Sequence, residues 1–406
     1  INGMVRGTDG RMMHKSYGNY VEAREVIEKY GADALRQWAY ASGSTGSDIP
    51  FRWEDVDYGW RFLLKLWNAS RFVSFHIKDH EIKLPQKLSY IKCKTVKDVF
   101  RAIKNMHVRG APAIGVAAGF GVYLGIKNEK KYIYKKAKQS IELLKKSRPT
   151  ARNLFWVLER MEKILEENKT IALNALKKKI LKEAKTIYEW EKKVAYQIGK
   201  EGAKLIKKGD RILTICNAGA LATVDWGTAL SVIYIASKNK KNIKVYALET
   251  RPLLQGARLT CWELKREGVD TILICDNAAA KLMAEGKIDK IIVGADRITL
   301  NGDTANKIGT LNLAILAKYF NIPFYVAAPT STFDLSLETG SQIPIEERDK
   351  KEVLFINNKP IAPLDVKVYN PAFDVTPHTL ITAFITERGI IPVSYTHLTL
   401  PTTERV

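Results

Sequence analysis

The sequence has no apolar run long enough to cross a membrane and no recognisable leader. A membrane-spanning helix needs about 20 consecutive apolar residues, and no segment of the 406 residues approaches that length. The first residues lack the basic start, apolar middle and small-residue cleavage site of a signal peptide. We therefore expect a cytoplasmic protein that does not associate with membranes.

Cysteine is scarce and is not arranged for metal binding or cross-linking. The four cysteines, Cys93, Cys216, Cys261 and Cys275, lie far apart and form no C-x-x-C pair. Such spacing fits neither a zinc site nor a disulfide framework. We expect four reduced thiols and no metal centre.

A dinucleotide-binding fingerprint is also missing. Gly119-Phe120-Gly121 followed by Gly125 misses the G-x-G-x-x-G spacing by one residue and follows no predicted strand. We interpret these glycines as positions where helices pack closely. No nicotinamide, flavin or other cofactor is expected.

Charge is the property that the chain has in excess, with a formal net charge of +22. The lysines concentrate on predicted helical surfaces, such as residues 127–146 and Lys177–Lys179, and no aromatic residues alternate with them in a nucleic-acid-binding motif. We expect a solvated basic surface without functional nucleic-acid binding. Its field would still favour an anionic substrate.

The pattern of the chain changes three times, and it predicts an α/β protein. Residues 1–78 are mainly amphipathic helices, and residues 79–207 form a small domain that is largely helical with some short strands. Residues 208–393 form a Rossmann-like domain with a parallel sheet, and residues 394–406 follow it without a predicted element or function.

Five short apolar segments alternate with helices in the third region, which predicts a parallel sheet covered on both faces. They read RILTI, IKVYAL, TILIC, KIIVG and PFYVAA. Ligands of such sheets bind beyond the carboxyl ends of the strands. The residues at or just past these ends are Cys216, Glu249, Asp276, Asp296 and Pro329.

Several basic residues lie where a phosphate could bind. Arg109-Gly110-Ala111 precedes a predicted helix start at a proline, where free backbone N–H groups favour an anion. Arg148 lies in a similar loop before a helix, and Asn306-Lys307 follows the fourth strand segment. Together these residues predict a phosphosugar site.

Asp296 directly follows a buried strand segment, so burial should raise its carboxyl pKa toward values that suit a general acid. Cys216 has several possible roles: nucleophile, metal ligand, redox thiol or packing residue. The wide cysteine spacing argues against a metal ligand and against a disulfide. The position of Cys216 at a strand end argues against a role in packing alone.

Residues 79–393 resemble the methylthioribose-1-phosphate isomerase family. That family lies in a superfamily with ribose-1,5-bisphosphate isomerase and the regulatory subunits of translation initiation factor two B. The resemblance rests on VRGAPAIGVAA (108–118), RPTARNL (148–154), CNAGALAT (216–223), ETRPLLQGARLTCWEL (249–264), GADRITLNGDTANKIGT (294–310), APTSTFD (328–334), IPIEER (343–348) and NPAFDVTP (370–377).

The resemblance implies a reversible conversion of 5-methylthioribose 1-phosphate to 5-methylthioribulose 1-phosphate in methionine salvage, by a hydride shift or an enediolate. It implies a homodimer, Asp296 as proton donor and Cys216 as the residue that stabilises the transition state. The implied substrate contacts are Arg109, Gly110, Ala111, Arg148, Gln255, Asn306 and Lys307. The alternatives are a ribose-1,5-bisphosphate isomerase and a non-catalytic sensing member of the superfamily.

Residues 1–78 resemble valyl-tRNA synthetase of the archaeal type, from its KMSKS loop into the following helical domain. The resemblance is carried by EKYGADALRQWAY and KLWNASRF, but the loop reads Met12-Met13-His14-Lys15-Ser16. The HIGH motif, most of the catalytic sheet and the anticodon-binding domain are not found, so we expect no aminoacylation.

Residues 394–406 resemble translated adaptor sequence. Together with a start at Ile1, this suggests a chimeric reading frame in which the first strands of the isomerase are missing.

Overall fold

The computed structural model describes residues 5–7, 9, 11–41, 49–57, 91–356 and 358–393. The chain forms two compact units, Ile1–Ile91 and Lys92–Val406. The expected boundary at residues 78/79 and the expected tail at 394–406 both lie outside the described residues. No described helix combines the length and the apolar character needed to span a membrane.

The first unit has a small core of its own. Strand β1 (Val5–Arg6) pairs in parallel with β2 (Ile49–Pro50), and two helices, α1 (Ala23–Tyr30) and α2 (Ala32–Ala41), lie between them in the chain. Its buried apolar side chains are Val26, Ala34, Trp38, Phe51 and Val56. The described part of this unit is therefore mainly helical.

The second unit begins with five helices. They are α3 (Val96–Lys104), α4 (Ala111–Ile126), α5 (Ile133–Lys145), α6 (Arg152–Glu167) and α7 (Leu173–Ala203). Helix α3 starts with a capping box, in which the Thr95 hydroxyl accepts from the Asp98 N–H and the Asp98 carboxylate accepts from the Thr95 N–H. The helices enclose a common apolar core that includes Ile114, Leu154, Leu158, Met161 and Ile180.

Helix α4 is the buried centre of this helical layer, and its glycines serve close packing. A Cβ at Gly119 would lie 3.1 Å from the Met161 methyl carbon, and one at Gly125 would overlap the Ser140 hydroxyl. Both glycines lie inside the helix and not at the end of a strand. The interpretation of Gly119, Gly121 and Gly125 as packing positions is confirmed.

The main sheet has seven strands in the order β15-β14-β9-β6-β3-β4-β5. The five predicted segments are all strands, and all of them pair in parallel. Two further strands, which the sequence did not reveal, extend one edge, and β15 runs antiparallel to β14. The strands are β3 (Arg211–Thr214), β4 (Lys244–Leu248), β5 (Asp270–Ile274), β6 (Lys290–Val293), β9 (Phe324–Ala327), β14 (Ala383–Thr386) and β15 (Gly389–Pro392).

Side chains alternate between two buried faces of this sheet. On β3, Ile212 packs into one apolar cluster with residues of α7 and of the helix Ala229–Lys238. The next residue, Leu213, packs into a second apolar cluster. The sheet is therefore covered on both faces, as predicted. The helices that alternate with its strands are α8 (Ala229–Lys238), α9 (Cys261–Arg266), α10 (Ala279–Ala284) and α11 (Thr310–Tyr319).

A second sheet of four strands, which the sequence analysis missed, lies in the same unit. Its order is β10-β7-β8-β13, from β7 (Arg297–Thr299), β8 (Thr304–Lys307), β10 (Phe333–Asp334) and β13 (Phe373–Thr376). Strand β8 ends with Asn306 and Lys307, so this sheet positions part of the predicted phosphate site. A short helix, α12 (Lys351–Leu354), and the hairpin of β11 (Phe355–Ile356) and β12 (Lys359–Pro360) follow β10 in the chain.

The predicted boundary at residues 207/208 falls between the end of α7 at Ala203 and the start of β3 at Arg211. The helical layer and the sheets nevertheless belong to one compact unit. Helix α7 explains this, because its first half packs in the helical core and its second half packs on the sheet.

Candidate functional site

One pocket in the second unit collects every residue that the sequence assigned to the site. The predicted residues that line it are Asp296, Cys216, Arg109, Gly110, Ala111, Arg148, Gln255, Asn306 and Lys307. These residues come from both the helical layer and the two sheets.

The amino end of α4 forms one side of the pocket. Gly110 precedes the helix with φ of +86°, and a Cβ there would overlap the Ala222 carbonyl oxygen. Pro112 is in the first turn, and no described side chain caps this end. The N–H groups of Ala111 and Ala113 therefore lack intrahelical acceptors and can bind an anion.

Arg148 is held in the loop between α5 and α6. Its Nε lies 2.9 Å from a Glu346 carboxylate oxygen. The loop itself is fixed by Arg297, whose guanidinium donates to the carbonyl oxygens of Pro149 and Thr150 at 3.0 and 3.1 Å. Arg148 thus reaches the pocket from a hydrogen-bonded loop, and Glu346 offsets part of its charge.

Lys307 brings a second positive charge, from the end of β8. Its Nζ donates to the Ala372 carbonyl oxygen at 2.9 Å and lies 4.6 Å from the centre of the Phe373 ring. Burial lowers the pKa of Lys307, and the neighbouring Cys216 and Asp296 partly offset this. The preceding residue, Asn306, donates from its side-chain amide to the Thr310 hydroxyl at 3.0 Å.

Asp296 lies in the short link between β6 and β7, and its backbone is fixed on both sides. Its N–H donates to the Ala305 carbonyl at 2.9 Å, and its carbonyl accepts from the Arg152 N–H at 3.0 Å. Burial raises the pKa of the Asp296 carboxyl, against the opposing effect of the cations Lys307, Arg148 and Arg109. The direction is the one predicted for a general acid.

Cys216 follows β3 in a backbone conformation that non-glycine residues rarely adopt, with φ of +61°. Two buried threonines hold it there. The Cys216 N–H donates to the Thr250 hydroxyl at 2.8 Å, and its carbonyl accepts from the Thr260 hydroxyl at 2.6 Å. The Arg109 guanidinium lies 4.0 Å from the sulfur. Such strain at a pocket residue is typical of functional sites.

Gln255 contributes an unused hydrogen-bond acceptor. The side chain is 4 % exposed, and its amide oxygen has no hydrogen-bond partner among the described residues. A buried amide oxygen without a partner is costly, so the site gains when a ligand hydroxyl donates to it. Gln255 directly precedes a π-helical turn, Gly256–Thr260, a feature common at functional sites.

Sequence reasoning missed three residues that line the pocket. Asn217 lines the pocket beside Cys216, and Met106 and Phe373 add apolar surface to it. Of the other residues at strand ends, Glu249, Asp276 and Pro329 do not line the pocket. Asp276 instead accepts hydrogen bonds from the N–H groups of Thr250 and Arg251, both at 2.7 Å.

The charges of the pocket suit an anion with adjoining hydroxyl groups. Three cations, Arg109, Arg148 and Lys307, face one carboxyl group, Asp296. Among the residues that the structure describes, no three His, Cys, Asp or Glu side chains are grouped to hold a metal ion. The chemistry that the pocket can supply is phosphate binding, proton transfer by Asp296 and polarisation by Cys216.

In the first unit, the loop that resembles KMSKS forms a short 3-10 turn at Lys15–Tyr17. The Lys15 ammonium group is exposed and lies 4.0 Å from Glu22, and the His14 ring accompanies it with a 2.7 Å hydrogen bond to Ser16. These contacts are local and exposed, so they define no closed pocket.

Two family models match the chain. Residues 107–393 match the Initiation factor 2 subunit family, and residues 1–52 match the class I tRNA synthetases of the isoleucine, leucine, methionine and valine group. The second match supports the interpretation of the chain as a fusion with a synthetase segment.

Curated relatives match the second unit over almost their whole length. Methylthioribose-1-phosphate isomerase of Thermotoga maritima is 57% identical over 76% of this chain and 90% of its own. The enzyme of the same name from Caldicellulosiruptor saccharolyticus is 53% identical over 76% of this chain and 91% of its own. A Bacillus cereus relative named 5-deoxyribose 1-phosphate isomerase is 51% identical over 77% of this chain and 91% of its own.

Two solved structures share the fold. The 5-methylthioribose 1-phosphate isomerase of Pyrococcus horikoshii matches with a TM-score of 0.68 and 48% identity, over 76% of this chain and 87% of its own. The structure of translation initiation factor eIF-2B, subunit delta, from A. fulgidus matches with a TM-score of 0.65 and 45% identity. The match covers 76% of this chain and 91% of its own.

Proposed function

The chain belongs to the Initiation factor 2 subunit family, and from that membership and the pocket we propose that it is an aldose–ketose isomerase. The proposed reaction converts 5-methylthioribose 1-phosphate to 5-methylthioribulose 1-phosphate, a step of methionine salvage. The observation that carries the proposal is the pocket itself, where three cations and an acidic carboxyl group with a raised pKa adjoin a strained cysteine.

We assign phosphate binding to Arg109, Arg148 and Lys307 together with the N–H groups at the start of α4. Arginine offers paired N–H donors that suit phosphate oxygens, and a helix amino end adds its dipole. The Gln255 amide oxygen, which has no partner in the described part of the chain, would accept from a sugar hydroxyl. Asn306 would contribute a further polar contact beside Lys307.

We assign the acid role to Asp296. The phosphate ester at carbon one prevents spontaneous ring opening, so the ring oxygen must take a proton as its bond to carbon one breaks. Asp296 would donate that proton. In the hydride-shift route, carbon one then gains a hydride from carbon two, and the hydroxyl on carbon two gives its proton to solvent and becomes the ketone. Asp296 regains a proton from solvent, so atoms and charge balance. Cys216 would stabilise the charge that develops during this transfer.

The test is turnover of 5-methylthioribose 1-phosphate by the purified full chain, followed by formation of the ketose. Asp296→Asn and Cys216→Ser should each lower kcat by at least about 100-fold, because each removes a group that acts in the transition state. Absence of ketose in the wild-type reaction would refute the proposed function. Unchanged turnover in both variants would refute the site assignment alone.

Substrate labelled with deuterium at carbon two separates the two chemical routes. A hydride shift keeps the deuterium and delivers it to carbon one of the product. An enediolate route passes a proton through a base and exchanges the label with water. Mass spectrometry of the product measures the retained fraction.

A second substrate, 5-deoxyribose 1-phosphate, is favoured by the name of the Bacillus cereus relative. It has the same phosphate and ring and lacks only the methylthio group. The apolar side chains of Met106 and Phe373 line the same pocket, and they would favour the methylthio compound. The ratio of kcat/KM for the two sugars decides which substrate is preferred.

We further propose a cytoplasmic homodimer formed through the sheet domain. Strand β5 is an edge strand of the main sheet, and its Ile272 and Leu273 are 37% and 50% exposed. An apolar edge of this kind is protected when another chain covers it. Light scattering on the purified chain measures the mass, and a monomer at micromolar concentration would contradict the dimer.

A further inference from the structure

A buried carboxylate that lies outside the pocket connects to two of the proposed site residues. Glu263 in α9 is 4% exposed and does not line the pocket. Its oxygens accept from the Asn217 amide at 2.9 Å, the Ala220 N–H at 2.7 Å and the Tyr234 hydroxyl at 2.8 Å. Leu221 adds a longer N–H contact at 3.3 Å. No Lys, Arg or His among the described residues forms an ion pair with it.

A buried carboxylate without a cation is expensive and is retained only where its hydrogen bonds serve a purpose. Burial raises the pKa of Glu263, and the bonds from Asn217, Tyr234 and the backbone offset part of that effect. Gly219 leaves the space for this carboxylate, because a Cβ at that position would overlap it. The turn after Cys216 is thus built around Glu263.

The Glu263 carboxylate fixes which way the Asn217 amide points. The Asn217 nitrogen donates to Glu263 and to the Thr260 hydroxyl at 3.1 Å. Both N–H groups are used, so the amide oxygen must face the other way, toward the Arg109 guanidinium that donates to it. The same guanidinium donates to the Asn217 carbonyl oxygen at 2.7 Å.

Arg109 in turn lies beside Cys216, with 4.0 Å between its guanidinium and the sulfur. Thr260 contributes to both ends of this connection, because its hydroxyl accepts from Asn217 and donates to the Cys216 carbonyl oxygen. A carboxylate, an amide and a guanidinium therefore form one chain of hydrogen bonds that ends at the thiol.

We propose that Glu263 is a positioning residue of the isomerase site, which orients Arg109 toward the substrate phosphate and Cys216 through the amide of Asn217. This rests on the proposed function. Without an anionic acceptor the Asn217 amide can rotate, and its N–H group would then face the guanidinium. Arg109 would lose one of its two oxygen acceptors on Asn217 and its fixed orientation.

The variant that tests this is Glu263→Gln, which keeps the size of the side chain and removes its charge. We expect KM for 5-methylthioribose 1-phosphate to rise about tenfold, the size of one charge-assisted hydrogen bond, with a smaller fall in kcat. The rate of Cys216 alkylation by iodoacetamide, followed by mass spectrometry of its peptide, should change severalfold, because the guanidinium that lies 4.0 Å from the sulfur is displaced.

Asp289→Asn is the matched control for lost stability. Asp289 forms a bidentate pair with Arg211, at 2.7 and 2.8 Å, at the start of β3 and so at the opposite end from Cys216. It should lower the unfolding midpoint and leave KM and the alkylation rate unchanged. The proposal is overturned if Glu263→Gln changes KM and alkylation no more than this control does.

Two further results keep the test decisive. Asn217→Ser should raise KM to a similar extent, and combining it with Glu263→Gln should add little, because both act through one connection; full additivity would contradict the proposal. If Glu263→Gln fails to fold, Glu263→Asp carries the same comparison. If the wild-type chain has no isomerase activity, the proposed function fails, while the alkylation rates still decide the role of Glu263.

Discussion

Asp296 is the residue whose ionisation bears most directly on the proposed reaction. Burial raises its pKa above the ordinary value of 3.8, so the protonated acid persists to higher pH than for an exposed aspartate. A general acid acts in its protonated form. We therefore expect kcat to be highest below this raised pKa and to fall as the pH rises through it.

The measurement is the pH dependence of kcat for the wild type and for Asp296→Asn. The variant should retain at most about 1% of the activity, without the alkaline decline that Asp296 causes. A wild-type rate that rises steadily with pH would show that the ionised carboxylate acts, and would contradict the acid role.

Glu191 gives a prediction about stability that is independent of catalysis. It is buried in α7 near Glu387, and burial, followed by that neighbouring charge, raises its pKa from 4.5 to about 8, although Asn153 opposes the shift. Between these two values the folded chain binds a proton that the unfolded chain has lost. Glu191 therefore makes its full contribution to the free energy of unfolding below pH 4.5. As the pH rises from 4.5 to about 8, that contribution declines by about 1.4 kcal/mol per pH unit.

Glu191→Gln removes this titration. The free energy of unfolding of the variant should therefore fall less between pH 5 and pH 8 than that of the wild type. Urea unfolding at the two pH values measures the difference. Glu189→Gln is the matched control, because Glu189 lies on the same helix with its side chain 61% exposed. Equal slopes for the wild type and Glu191→Gln would contradict the prediction.

At the scale of elements, the start of α4 links fold and site. Gly110 has positive φ, and an added methyl group would overlap the Ala222 carbonyl oxygen. Gly110→Ala should therefore destabilise the chain by about 1–3 kcal/mol and raise KM, because the helix end and Arg109 shift together.

Gly209→Ala separates backbone strain from overlap. Gly209 has a similar φ of +84°, but a Cβ there would meet nothing within 4 Å. This variant should cost only about 1 kcal/mol and leave KM unchanged. Thermal unfolding and kinetics on both variants measure the difference, and equal effects would show that overlap with Ala222 is unimportant.

The elements also mark where prediction from sequence reached its limit. Each of the five predicted strands is a short apolar run between helices, and the structure confirms all of them. Strands β7, β8 and β10 have two to four residues each, and polar residues such as Thr304, Asn306 and Lys307 dominate β8. Such strands have no apolar periodicity to detect, because their neighbours in the sheet define them.

At the scale of the whole molecule, the pocket depends on one unit of the chain. Its lining residues run from Met106 to Phe373, all within Lys92–Val406. Removal of residues 1–78 should therefore leave kcat and KM within about twofold of the full chain, since none of the described residues that line the pocket is lost. Kinetics on the two chains test this, and inactivity of the shortened chain alone would contradict it.

We expect no valine-dependent exchange of pyrophosphate into ATP by the full chain. The synthetase match covers residues 1–52, and the loop carries only Lys15 and Ser16 of the residues that resemble the phosphate-handling motif. Measurable exchange would assign a catalytic role to the first unit.

The amino-acid sequence alone predicted five strands of the parallel sheet and the glycine packing of α4, and its resemblance to the isomerase family implied nine of the residues that line the pocket. Apolar periodicity and local motifs carry that information, because they depend on neighbours in the chain. The three-dimensional structure was needed to reveal the strained backbone of Cys216 and the support from Glu263. It also showed that the Gln255 amide oxygen has no hydrogen-bond partner within the described part of the chain. These properties arise from contacts between segments far apart in the sequence, such as Arg109 with Asn217 and Asn217 with Glu263. They also depend on the burial of the side chains that make those contacts.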